Sequence, residues 1–86
     1  MRTIYKYPLI IGFNGISLPL EAEIVHIGMQ HGQIQMWVEQ DPTRPMTQRQ
    51  FNVYGTGHPI YNNNEHHLAT VVLGDFVWHV YENIFI

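Results

Sequence analysis

The feature that most constrains this 86-residue chain is a period-two alternation of apolar and polar residues, interrupted by glycine-containing turns. The clearest example is residues 23–39, where two extended segments flank the dipeptide His31-Gly32. A two-residue turn that contains glycine between alternating segments is typical of a β-hairpin. Because no segment repeats apolar residues at the helical spacing i, i+3, i+4 and i+7, the sequence predicts an all-β fold.

The turn also sets the register of this hairpin, because side chains alternate between the two faces of a strand. If Gln30 faces Gln33, three aliphatic pairs share one face: Met29 with Ile34, Ile27 with Met36, and Val25 with Val38. The other face then pairs His26 with Trp37 and Gly28 with Gln35. We expect the aliphatic face to be core and the Trp37 face to be partly exposed or to meet a partner.

A second hairpin is predicted at residues 68–82 around Gly74-Asp75, with glycine at the first turn position as a type II′ turn requires. Counting from a Leu73–Phe76 pair gives five more pairs: Val71 with Trp78, Ala69 with Val80, Val72 with Val77, Thr70 with His79, and Leu68 with Tyr81. Both faces are largely apolar. We therefore expect this strand pair to be covered on both sides, within a sandwich or barrel or by another subunit.

The remaining segments complete the prediction. Strands are expected at residues 3–11 and 16–20, joined by a hairpin turn at Asn14-Gly15, and at residues 50–54. Residues 41–48 contain two prolines and are expected to be a surface loop, and residues 62–67 are the best place for a short helix. The sequence thus predicts one domain over residues 1–86, a small sandwich or partly open barrel of six or seven short antiparallel strands.

Composition excludes several classes of function. Four cations stand against seven carboxylates, a formal net charge of −3, so no positive field favours duplex nucleic acid. The absence of cysteine excludes a disulfide framework, a thiolate zinc site and a cysteine nucleophile, and it fits a reducing cytosol. Without a run of about 18 apolar residues or a signal-peptide pattern, we expect a cytoplasmic protein with no membrane partner.

The densest cluster of special backbone residues is Gly55-Thr56-Gly57-His58-Pro59. Two glycines around a threonine let main-chain N–H groups converge on an anion, with the Thr56 hydroxyl and the His58 imidazole as further donors. The same string is also a common structural turn, no Walker-type lysine follows it, and Pro59 has no N–H to donate. A phosphate-binding loop and a plain turn both remain open.

The histidines do not form a recognisable metal motif. The chain has six, but the adjacent His66 and His67 point to opposite faces of a strand, and no His-Glu-x-x-His helix signature occurs. A site would require His26, His58 and His79 to meet by folding. We expect no metal and no other cofactor.

Catalytic residues are also poorly supported. Ser17 is the only serine and falls in a predicted strand, which argues against a serine triad. His58 and His79 could act as general acid and base on a phosphodiester, but their spacing does not require it. We predict no catalytic residue and a protein that is not an enzyme.

Several strings resemble a family of small proteins of unknown function that are frequent in phages and prophages. They are IYKYPL at residues 4–9, YGTGHPI at residues 54–60 and FVWHV at residues 76–80, and the similarity runs nearly end to end. The resemblance implies a phage setting and a host-cell cytoplasm. Small β-rich phage proteins commonly act by binding, either to a host protein or to a nucleotide signal of host defence.

We therefore expect a non-enzymatic protein that binds a small phosphorylated, nucleotide-like ligand and sequesters a defence signal. The ligand would meet Gly55, Thr56, Gly57 and His58, with charge from Arg2, Lys6 or Arg49 and a base stacked on Trp37 or a nearby tyrosine. The alternatives are a protein inhibitor of a host defence enzyme and a histidine-dependent phosphodiesterase. The apolar end at residues 84–86 further predicts a homo-oligomer with the site at a subunit boundary.

Overall fold

Two antiparallel sheets make up the computed structural model, which describes residues 1–84. Seven strands lie in that range: β1 Thr3–Leu9, β2 Gly12–Pro19, β3 Glu23–Gln30, β4 Gln33–Gln40, β5 Met46–Gly55, β6 Glu65–Leu73 and β7 Phe76–Asn83. One sheet has the order β1-β4-β3 and the other β2-β5-β7-β6. The predicted all-β class is confirmed, and the sheets do not close into a barrel. The described residues include no helix that could cross a membrane.

The core lies between the two sheets, and both contribute alternate residues to it. Its members with at most 3% exposure are Leu9, Ile34, Met36 and Val38 from the three-stranded sheet and Leu18, Phe51, Val53 and Val80 from the four-stranded sheet. Each such side chain contributes about 1.5 to 3 kcal/mol by leaving water. The molecule measures 40 × 32 × 15 Å, so this core is a single thin layer. Candidate ligand sites are consequently on the outside of the sandwich.

The β3–β4 hairpin has the predicted register near its turn and departs from it farther away. Ile27 pairs with Met36 and His26 with Trp37, as predicted. The prediction that Val25 pairs with Val38 is wrong, because Ile24 takes that place and Val25 is the extra residue of a bulge. The turn residues have φ of 53° and 73°, the two left-handed conformations that a type I′ turn requires.

The β6–β7 hairpin behaves in the same way. Five of its six predicted pairs are present, from Leu73–Phe76 at the turn to Ala69–Val80. The prediction that Leu68 faces Tyr81 is wrong, because a bulge brings His67 opposite Tyr81. The outer face of this hairpin is therefore more polar than the sequence pattern predicted.

The predicted N-terminal hairpin is wrong. Asn14-Gly15 lies inside β2, opposite Phe51 and Gln50 of β5, while β1 pairs with β4 in the other sheet. The Asn14 side chain accepts the Ile10 N–H at 2.9 Å and donates to the Ile10 carbonyl at 2.9 Å. It therefore stabilises the crossover between the sheets, a long-range role that overrides the local turn preference of Asn-Gly.

Two smaller predictions also need correction. Residues 62–67 form no helix, because the Asn62 side chain accepts the Asn64 N–H at 2.8 Å in a turn and β6 begins at Glu65. The loop predicted at residues 41–48 ends earlier, because β5 begins at Met46, which pairs with Pro19. Residues 85–86 of the predicted oligomerisation segment lie outside the described residues.

Candidate functional site

The loop of residues 55–58, at the end of β5, is fixed by two internal hydrogen bonds and one to β7. The Gly55 N–H donates to His58 Nδ1 at 3.0 Å, and the His58 N–H donates to the Gly55 carbonyl at 3.0 Å. The Thr56 N–H donates to the Val77 carbonyl at 3.3 Å, which ties the loop to β7. Among the described residues, only the Gly57 N–H of this loop has no main-chain or side-chain acceptor. The main-chain amides therefore do not converge on an anion as a phosphate-binding loop would require.

The two glycines of the loop serve different purposes. A Cβ at Gly55 would lie 2.9 Å from His58 Cε1 and 3.1 Å from Trp78 Cζ3, so only glycine permits this close approach. Gly57 has open space around it but a φ of +89°, which L side chains rarely adopt. The loop thus holds the His58 ring against the edge of Trp78, with ring centroids 6.2 Å apart.

A cleft of about 200 Å³ lies between this loop and the outer face of β5 and β7. We call it the polar cleft for the hydroxyl and imidazole groups among its lining residues, although apolar atoms make up most of its surface. Its lining residues are Tyr54, Gly55, Thr56, Gly57, His58, Ile60, His79 and Tyr81. Ligand pockets usually measure about 300 to 1,000 Å³, so the cleft alone suits a group the size of a phosphate or a sugar. Because His58 Nδ1 accepts a hydrogen bond, the neutral ring carries its proton on Nε2.

Threonine hydroxyls orient His79, the second imidazole of the cleft. His79 Nε2 lies 2.9 Å from Thr56 Oγ1, and His79 Nδ1 lies 3.0 Å from Thr70 Oγ1. The Thr70 hydroxyl lies a further 2.9 Å from His67 Nε2. The result is a chain of four hydrogen-bonding groups across the outer face of the four-stranded sheet.

The wall of the cleft at Tyr54 is backed by a carboxylate. The Tyr54 hydroxyl donates to Glu65 Oε1 at 2.6 Å, and Asn52 Nδ2 donates to the same oxygen at 2.7 Å. Burial, followed by this hydrogen bond and the charge of Glu65, raises the pKa of Tyr54 to about 12. Tyr54 is therefore a neutral donor near pH 7, and its ring packs edge-on against Tyr81 at 5.6 Å.

A second hollow, of about 440 Å³, lies on the other side of the same loop. Its lining residues are Gly55, Thr56, His58, Asp75, Phe76, Val77 and Trp78. Three of them also line the polar cleft, so the loop is a wall shared by two adjoining depressions.

The predicted cations do not reach this site. Arg49 forms a two-point ion pair with Glu82, at 2.6 and 2.9 Å, and also donates to the Ala22 carbonyl. Arg2 pairs with Glu39 at 2.6 Å. No lysine or arginine is among the residues that line the cleft.

Lys6 and Trp37 come together, but on the outer face of the other sheet. They are partners in the β1–β4 register, and the Lys6 ammonium donates to Gln30 Oε1. The Trp37 ring lies 5.3 Å from the ring of His26. Of the predicted site residues, the structure thus assembles only Gly55, Thr56, Gly57 and His58. His26 lies on β3 of the three-stranded sheet, whereas His79 lies on β7 of the other sheet. Among the described residues, the three histidines therefore do not form a metal site.

The sequence did not predict that Tyr54 of β5 and Tyr81 of β7 belong to the candidate site. Tyr54 and Tyr81 reach the cleft because Tyr54 pairs with His79 across β5 and β7. Local hairpin counting predicted the Thr70–His79 pair. It could not identify β5 as the next strand, because the two strands are separated by β6 in the chain.

The family model described as a domain of unknown function, DUF7352, matches residues 1–85. No curated protein and no solved structure gives a significant match.

Proposed function

The chain belongs to the DUF7352 family, a domain of unknown function, and we propose that it is a non-enzymatic protein that binds a small phosphorylated, nucleotide-like ligand in the polar cleft. The observation that supports this most is the composition of the cleft, where hydrogen-bonding groups of a fixed loop lie beside the tyrosine rings of β5 and β7. In the phage setting that the sequence resemblance implies, such a protein would sequester a nucleotide signal in the host cytoplasm.

The donors for a phosphate are the Gly57 N–H, the His58 Nε2–H and the Thr56 hydroxyl, which would exchange its contacts with His79 Nε2 at 2.9 Å and the Val77 carbonyl at 3.5 Å for the ligand. All three belong to a loop whose other amides already have acceptors, so the loop needs little ordering when a ligand arrives. Pre-organisation of this kind lowers the entropic cost of binding. Hydrogen bonds to a charged acceptor contribute about 1.5 to 3 kcal/mol each, so two or three of them total about 3 to 9 kcal/mol, and only the upper end of that range corresponds to a micromolar complex.

The absence of lysine and arginine from the cleft distinguishes it from cationic phosphate sites. Attraction between exposed charges is screened over about 8 Å at physiological ionic strength. A site made of neutral donors is affected much less. We therefore expect the dissociation constant to change by less than about threefold between 50 and 300 mM salt.

The binding experiment compares phosphorylated probes by isothermal titration calorimetry. Inorganic phosphate, ribose 5-phosphate, AMP, GMP and UMP are titrated into the wild type, Thr56→Val and Thr3→Val. Thr56→Val removes the hydroxyl at nearly constant volume and should weaken binding about tenfold or more. Thr3 is an exposed threonine of β1, and its variant is the matched control. Absence of binding by every probe contradicts the proposal.

The phosphodiesterase alternative is favoured by one observation, namely that His58 and His79 line the same cleft. Its test is the incubation of 3′,5′-cyclic AMP and a cyclic dinucleotide with the protein, followed by chromatography. Hydrolysis that disappears in both His58→Gln and His79→Gln establishes an enzyme. Intact ligand that remains bound supports a binding protein.

The inhibitor alternative is favoured by exposed apolar residues at the β1–β2 crossover. Ile10, Ile11 and Phe13 are 62%, 56% and 58% exposed. Exposed apolar residues that cluster on a surface are typical of a protein–protein contact. The same patch would serve a homo-oligomer. Sedimentation of the wild type and Phe13→Ser measures self-association, and a host-lysate capture with the two proteins measures partner binding.

A further inference from the structure

The hollow beside Trp78 has different side chains from the polar cleft, with Phe76 and Trp78 in place of its two tyrosines and His79. Three rings border it: Phe76 and His58 each lie 6.2 Å from Trp78, at interplanar angles of 36° and 65°. Phe76 is 66% exposed, although it stands next to a tight turn that could have carried a polar residue. At about 440 Å³ the hollow falls within the usual range for ligand pockets, whereas the cleft does not.

The single carboxylate among the residues that line the hollow determines which part of a ligand it can accept. Asp75 lies on that surface, and no lysine or arginine does. A phosphate there would meet a like charge, which is unfavourable. An aromatic ring with N–H groups would instead stack on Trp78 and Phe76 and could donate to Asp75.

We propose that the hollow is a base subsite and that the ligand is a purine nucleotide, an inference that rests on the function proposed above. Its phosphate lies in the polar cleft, and its base stacks on Phe76 and Trp78. Gly55, Thr56 and His58 line both depressions, which therefore meet at this loop. Because side chains alternate along β7, Phe76 and Trp78 lie on the opposite face from His79 and Tyr81, so the proposed nucleotide extends around the loop from one face to the other. Purines are favoured over pyrimidines because the larger ring covers more of the aromatic surface.

The chain carries its own reporters for this subsite. It has two tryptophans, Trp78 in the hollow and Trp37 on the outer face of the other sheet. Trp37→Phe leaves Trp78 as the single indole fluorophore, and Trp78→Phe leaves Trp37. Both proteins are titrated with AMP, GMP, UMP, adenosine, ribose 5-phosphate and inorganic phosphate.

We expect AMP and GMP to quench Trp78 emission, with dissociation constants at least fivefold lower than that of UMP. Trp37 emission should remain constant. Phe76→Ala should weaken AMP binding at least fivefold, since each stacked base contributes about 1 to 3 kcal/mol. The same variant should leave ribose 5-phosphate binding, measured by calorimetry, within twofold. Tyr5→Ala, which truncates an exposed aromatic residue of β1 in the other sheet, is the matched control.

The outcomes separate the two proposals. If nucleotides bind and Thr56→Val weakens them, but Phe76→Ala does not and Trp78 emission is constant, the base subsite is wrong while the phosphate cleft stands. If adenosine quenches Trp78 as strongly as AMP does, the base subsite stands and the phosphate cleft is wrong. If no probe binds, both are wrong.

Discussion

The imidazole of His58 lies folded back over Gly55, with Nδ1 accepting the Gly55 N–H at 3.0 Å and Cε1 2.9 Å from where a Cβ would be. This contact places the ring between the polar cleft and the aromatic hollow. It also uses an amide that a phosphate-binding loop would have left free. The geometry of the proposed site therefore depends on the absence of a side chain at residue 55.

Replacing each glycine of the loop by alanine should give two different results. Gly55→Ala pushes His58 and Trp78 apart and should weaken AMP binding at least tenfold. Gly57→Ala meets no atom, but it places a side chain at a φ of +89° and should lower the free energy of unfolding by about 1 to 2 kcal/mol. Calorimetry with AMP and urea denaturation measure the two effects. Wild-type affinity in Gly55→Ala would contradict the proposed geometry.

Arg49 should prove a stability residue and not a ligand-binding one. Its partner Glu82 is only 8% exposed, so Arg49→Ala leaves a buried carboxylate without its counter-charge. Removing one partner of a buried ion pair costs about 3 to 5 kcal/mol, and we expect the lower end because Arg49 is partly exposed. Urea denaturation should show a smaller loss for the double variant Arg49→Met with Glu82→Leu. An equal or larger loss in the double variant would argue against this account.

The Tyr54 hydroxyl should lose its proton at a higher pH than an ordinary tyrosine does. Its pKa of about 12 lies above the ordinary tyrosine value of 10.0, so the folded state holds this proton more tightly than the unfolded chain does. The stabilisation is therefore fully present below pH 10 and is lost as the pH rises towards 12. Absorbance at 295 nm, compared between the wild type and Tyr54→Phe, isolates the titration. Glu65→Gln should lower the pKa of Tyr54 only in part, because burial is the larger cause. A Tyr54 titration at the ordinary value in the wild type would contradict the buried hydrogen bond.

Asn14 should stabilise the crossover between the sheets. Asn14→Ala removes both bonds to Ile10 and should cost about 1 to 2 kcal/mol. Asn14→Asp keeps the acceptor for the Ile10 N–H and should cost less. Hydrogen exchange of the Ile10 amide measures the bond directly. Unchanged exchange in Asn14→Ala would show that the crossover does not need this side chain.

The parts of the fold that depend on local pairing could be predicted from the sequence, and the parts that depend on distant contacts could not. Counting from the turns at His31-Gly32 and Gly74-Asp75 gave the correct partners as far as His26 and Ala69. Beyond them, Val25 and Leu68 become bulges in edge strands, which a period-two pattern does not indicate.

The candidate site followed the same division. The segment at residues 55–58 was visible because glycine and threonine have distinctive backbone and donor chemistry. Trp78, and not Trp37, is the tryptophan beside it, because β5 pairs with β7 and brings Gly55 opposite Trp78. That pairing joins strands from separate hairpins, so no local pattern specifies it. Arg49 lies on the same face of β5 as Phe51 and forms an ion pair with Glu82, so it is not available to the candidate site.

The most direct measurement of the central claim is a ¹H–¹⁵N correlation spectrum recorded during titration with AMP. The account predicts progressive shifts of the Gly57 and Thr56 amides and of the Trp78 indole N–H, while the Trp37 indole N–H stays in place. A spectrum unchanged at millimolar AMP, or one in which the Trp37 indole moves and the Trp78 indole does not, would contradict it.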